Sequence, residues 1–88
     1  MTVKERIESH LASKELTLGC YDQTLEKLSE EELQKVLENA EYQTDTDVKI
    51  KNKPYVVEID IVDSEVDFSV LTKFEYISRY GNERYEDD

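Results

Sequence analysis

Three features of this 88-residue sequence predict an α+β fold. Apolar residues recur at helical spacing near the N-terminus and again between 33 and 40, they alternate with polar ones between 47 and 62, and steps of four return between 66 and 77. The arrangement expected is one small domain over 1–81, with N-terminal helices, a β-hairpin at about 47–62 and a C-terminal helix packed on one sheet face. Residues 82–88 read as an acidic tail.

Thr2 followed by Glu5 has the spacing of a capping box, and Val3, Ile7 and Leu11 then repeat in steps of four, which suits a helix to about Ser13. From Glu15 to Tyr21, Leu16, Leu18 and Cys20 alternate with Glu15, Thr17 and Gly19, the pattern of a short strand or an extended loop. Asp22 is placed to cap a short helical turn carrying Leu25 and Leu28. Ser29 and Glu32 form a second capping-box pair, and Leu33, Val36, Leu37 and Ala40 make one apolar helical face that runs to about Tyr42. Glu30, Glu31 and Glu32 meet the positive end of that helix's dipole, so part of the acidity is structural.

Thr44 to Asp47 are poor helix formers, and Asn52, Lys53 and Pro54 supply turn chemistry. A turn at Asn52 and Lys53 pairs Ile50 with Tyr55 and Val48 with Val57, which puts the apolar residues of both strands on one face. Lys49, Lys51, Val56, Glu58, Asp60 and Val62 fall on the other, expected to be wet. The second strand outlasts the first, so Ile59 to Val62 need a cover for their backbone groups. The candidates in order are the Leu16–Cys20 segment, a strand from the last third, and a second copy of the chain. Val66, Val70, Phe74 and Ile77 then suggest a helix from Asp63 or Ser64 to Gly81; the competing reading takes Phe74, Tyr76 and Ser78 as one side of a strand.

The chain carries 22 acidic and 11 basic residues, a formal charge of −11. Such a balance disfavours direct binding of nucleic acid or anionic membranes and favours basic protein surfaces. The sign alternates along the sequence: 29–47 holds seven acidic groups and one lysine, 48–55 brings Lys49, Lys51 and Lys53, and 56–67 holds five carboxylates and no cation. A single cysteine, Cys20, allows no internal disulfide. With no apolar leader or span, the expected location is the cytoplasm.

Residues that could carry chemistry are few. His10 has no sequence partner that makes it a base or ligand, and Cys20 has no neighbouring cation to lower its pKa. Asp45 and Asp47 resemble the start of a calcium loop, but Lys49 takes the next alternate position and no glycine or bidentate glutamate follows, so they read as solvated turn residues. Gly19 and Gly81 are the only glycines, which excludes dinucleotide and Walker-type loops. Glu58 and Asp60 project from one face about 6.6 Å apart, yet a hairpin's wet face gives neither the cleft nor the shielded acid of a glycosidase. No catalytic residue, cofactor or metal is expected, and a binding role is preferred to an enzymatic one.

The functional reading is therefore a small protein-binding module, an inhibitor or adaptor that docks on a basic, nucleic-acid-binding protein. Its contact residues are expected among Glu31, Glu38, Glu41, Glu58 and Asp60, with Tyr76 and Tyr80 as an aromatic patch. In size, acidity and lack of catalytic motifs the chain resembles small proteins of phages and mobile elements, including anti-CRISPR and other DNA-mimic inhibitors. That likeness is one of composition and carries no residues across. The alternative is a structural, self-assembling protein, a homodimer joined through the exposed strand edge.

Overall fold

The first helix is set by its capping box. In the computed structural model, which describes residues 2–81, the Thr2 hydroxyl accepts the Glu5 N–H and the Glu5 carboxylate accepts that of Thr2. Two orphan donors of α1 (Val3–Ala12) are thereby satisfied. The acidic tail expected at 82–88 lies outside the described residues. After a two-residue strand, β1 (Thr17–Leu18), Asp22 caps a short 3-10 turn (Gln23–Lys27), and Ser29 caps α2 (Glu30–Ala40). Only half of the second capping box forms, because the Glu32 carboxylate lies 3.2 Å from the Lys35 ammonium.

Three long strands follow: β2 (Thr46–Ile50), β3 (Lys53–Val62) and β4 (Glu65–Thr72), then α3 (Lys73–Tyr80). The sheet order is β1-β4-β3-β2, with β1 parallel to β4 and the other pairs antiparallel. Val48, Ile50, Val57, Ile59, Val66 and Phe68 form the sheet's contribution to the core. Ile7 and Leu11 of α1, Leu25 and Leu28 near the 3-10 turn, and Leu33, Val36, Leu37 and Ala40 of α2 cover them.

Two sequence expectations are corrected. The hairpin turn sits at Lys51–Asn52, not Asn52–Lys53, so Val48 pairs with Tyr55 and Ile50 with Lys53. The shift is by two residues, so every side chain keeps its expected face. Both turn residues have positive φ, 50° and 65°, as a two-residue hairpin turn with the right twist requires. Residues 65–72 form a strand, and the C-terminal helix begins only at Lys73. Steps of four put residues on one side of a helix and equally on one side of a strand. Phe68, midway between Val66 and Val70 and 1% exposed, fits the strand alone.

The C-terminal helix also lies on the sheet face opposite to α1 and α2. Its buried Tyr76 and the fully buried Val56 stand outside the main core cluster, and Arg79 reaches Glu58, on the face that alternates with the core residues. The face expected to be wet is therefore covered in part. Thr72 and Glu75 close a capping box that starts α3 directly from the end of β4.

The edge of β3 that β2 leaves uncovered is capped by side chains. Where β2 ends, the Ile59 N–H donates to Asp45 Oδ1 (3.2 Å) and the Ile61 N–H to Gln43 Oε1 (3.0 Å), while β4 pairs the other side of β3 throughout. Residues 17–22 run along the outer side of β4, ending where the Val70 N–H donates to Asp22 Oδ2 (2.9 Å). The Leu16–Cys20 segment thus covers β4 and not β3. The two N–H groups that a second copy would use at this edge of β3 are thus already engaged.

The β3–β4 turn, Asp63–Ser64, has φ of 50° and 66° without a glycine. Left-handed backbone costs a serine about 1 kcal/mol. Ser64→Gly should therefore raise stability by about 0.5–1 kcal/mol in a denaturant titration.

Asp22 gives a pH signature. Burial works against its charge, but the N–H groups of Val70 and Thr24 outweigh burial and hold the carboxyl below its ordinary value of 3.8. The stabilisation is complete above 3.8 and disappears as pH falls through the lower folded-state value. In Asp22→Asn, stability should fall by about 1–2 kcal/mol at neutral pH. That difference from the parent should shrink in acid, as read from melting curves across pH.

Candidate functional site: two charged poles at the ends of β3

The two turns that flank β3 lie at opposite ends of a ten-residue strand, about 30 Å apart. Their charges are opposite. At the β2–β3 turn, Lys49, Lys51 and Lys53 come from the hairpin itself, and Lys73 joins them because Thr72 pairs with Tyr55. At the β3–β4 turn stand Asp60, Asp63, Glu65 and Asp67. Among the described residues none of these four carboxylates has a cation within 4 Å, and the four ion pairs lie elsewhere. The sign alternation seen along the sequence is folded into two poles.

Within the acidic pole, Asp60 stands directly opposite Asp67. Like charges directly opposite on neighbouring strands destabilise the pair. Asp67 is held in place, because its Oδ1 accepts the Cys20 N–H at 2.8 Å. Gly19 makes room for it; a Cβ there would overlap that carboxylate. Asp60 is exposed and has no such tie. A carboxylate at position 60 therefore faces a like charge that is itself held in place.

The other expected contact residues are scattered. Glu31, Glu38 and Glu41 lie along α2 and are exposed, but Lys14 approaches Glu41 (3.8 Å), Arg6 pairs with the adjoining Glu30, and Gln34 donates to Glu38. Glu31 and Glu38 are about 10 Å apart along the axis. Phosphates of one DNA strand recur about every 3.4 Å, a closer spacing than that of Glu31 and Glu38. Glu58 is half-buried under α3, with Arg79 at 4.0 Å. Hydrogen bonding to Glu58 also holds the Tyr80 hydroxyl above its ordinary pKa.

Tyr76 is 8% exposed and donates to Asp45 Oδ2 (2.6 Å), which makes it a core residue and corrects its assignment as a contact. Tyr80, 50% exposed with its ring tilted against that of Tyr76 at 4.9 Å, stays accessible. Asp45 is likewise no solvated turn residue, since it serves both the β3 edge and Tyr76.

Comparison with protein families, curated proteins and solved structures then gave a plain answer. The chain matches none of them. Among the described residues no helix is long and apolar enough to cross a membrane, and no cluster of three or more His, Cys, Asp or Glu side chains forms that could hold a metal ion. What the two turns that flank β3 present is charge of opposite sign. Asp63, Glu65 and Asp67 were not singled out as site residues from sequence, although the cation-free run 56–67 contains them. The signal was there, and the hairpin that gathers them was missing.

Proposed function

We propose that this chain is a small acidic binding module rather than an enzyme, and that it docks its β3–β4 end on a basic protein surface in the cytoplasm, as an inhibitor or adaptor would. The observation that carries this reading is the Asp60–Asp67 pair within a pole of four carboxylates lacking a nearby cation among the described residues. Local choices that lower stability without compensation are characteristic of functional surfaces. Complementary charge steers encounter and excludes wrong partners, and a pole does this better than the same charge spread evenly. The exposed thiol of Cys20 suits a reducing compartment.

The test is affinity capture from a lysate at about 50 mM and about 500 mM salt, a range across which the Debye length falls well below 10 Å. Basic proteins should be held at low salt, released at high salt and lost with Asp60→Lys. Capture that ignores both salt and that substitution would contradict the reading.

A further inference from the structure

Among the described residues the sheet ends on β2, which has a strand neighbour on one side only. In the β2–β3 pair, Lys49 stands opposite Pro54. Proline has no N–H to give, so these two residues cannot exchange both ladder bonds and form a pair of the non-hydrogen-bonded kind. The N–H and C=O of Lys49 therefore point away from β3. By the alternation of an antiparallel strand those of Asp47 do the same, while Thr46, Val48 and Ile50 turn theirs toward β3. A strand arriving at this edge meets Asp47 and Lys49, both exposed, on the sheet face opposite that of the buried Val48 and Ile50.

We infer that β2 pairs with β2 of a second copy, antiparallel and centred on Val48, so that two four-stranded sheets join edge to edge. The register follows from charge. Pairing centred on Asp47 sets aspartate against aspartate, and pairing centred on Lys49 sets lysine against lysine; like charges directly opposite are destabilising. Pairing centred on Val48 sets Asp47 of each copy against Lys49 of the other, and these are the positions whose backbone groups point outward. Asp47 has an interaction within its own chain as well, and the register does not need it released; it needs only that no like charges face each other. Lysine in an edge strand usually guards against such pairing, and a second copy answers that guard by bringing an aspartate opposite it. The net charge of −11 opposes association of copies, but beyond about 8 Å this repulsion is largely screened at physiological salt. Five residues a side make a small contact, so the dimer is weak and exchanges with monomer. Each copy spends its β2 edge on the pairing, so assembly closes at two.

The test is sedimentation of the full chain at about 150 mM salt, from about 10 µM to about 1 mM protein, with amide chemical shifts followed over the same range. A reversible equilibrium of monomer and dimer, with nothing larger, is expected, and the concentration-dependent shifts should gather at residues 46–50. Asp47→Lys and Lys49→Asp each set like charges against each other across the pairing, and each should weaken dimerisation about tenfold or more. Mixed together, the two variants face lysines with aspartates and should associate again. Lys4→Gln, on α1 with its ammonium over the Tyr21 ring beside β4, should leave the dimer unchanged. Single variants that dimerise as the parent does, or folded single variants whose mixture stays monomeric, would overturn the inference. Should Asp47→Lys fail to fold, the parent's shifts decide by themselves, and shifts that gather away from β2 would count against the pairing. A monomer at every concentration would also overturn it, and would leave the reading of the acidic pole at the far end of β3 intact.

Discussion

Asp45→Ala is expected to destabilise the fold by about 2–4 kcal/mol, more than the other polar substitutions considered above. One carboxylate accepts the Ile59 N–H and the Tyr76 hydroxyl, and so ties the edge of β3 to the helix on the outer face of the sheet. Removing it takes away one acceptor shared by a backbone donor at a strand edge and a largely buried phenol. Tyr76→Phe deletes only one of these bonds, so its cost should be nearer 1 kcal/mol. Chemical denaturation of both variants measures the difference. Equal costs would mean that the edge cap contributes nothing. A further consequence is exposure: with Ile59 uncapped, the strand edge becomes open to pairing with other chains, and Asp45→Ala should aggregate at concentrations where the parent does not.

Asp60→Lys is expected to move stability and binding in opposite directions. The lysine would face Asp67 across the strand pair, replacing a like-charge contact by an opposite one, and stability should rise by about 0.2–1 kcal/mol. Binding to a basic partner should fall at least tenfold, since reversing one charge of a pole changes both the steering field and the contact. A merely structural residue would not show this split. If Asp60→Lys left binding unchanged, the acidic pole would not be the docking surface.

Much of this fold was legible in the residues, and the parts that were not share a cause. α2 and the 3-10 turn follow from caps and three-residue apolar steps that suit a helix, and α1, whose steps of four fit either period, follows from its capping box. β2 and β3 follow from alternation, and a one-residue error in the turn, which shifts the register by two, left every side chain on its expected side. Residues 65–72 were harder because Val66 and Val70 fit either period, and Phe68 decides only once the tight turn at Asp63–Ser64 returns the chain along β3. Contact residues were legible as a run of charge and not as a place. Glu31, Glu38 and Glu41 looked alike in sequence, yet Lys14 and Arg6 come from α1 and its end to offset that ridge. Tyr76 and Asp45 looked like surface groups, since nothing local says that a tyrosine on one element will meet an aspartate before another. Long-range partners of single polar side chains are what periodicity cannot supply.

One measurement goes straight to the electrostatic claim: amide chemical-shift mapping of the full chain with a short lysine-rich peptide at physiological salt. Saturable shifts at Asp60, Asp63, Glu65 and Asp67, abolished by Asp60→Lys, are the expected result. Shifts spread evenly over α2 and the sheet, or tighter binding of duplex DNA than of the peptide, would contradict it.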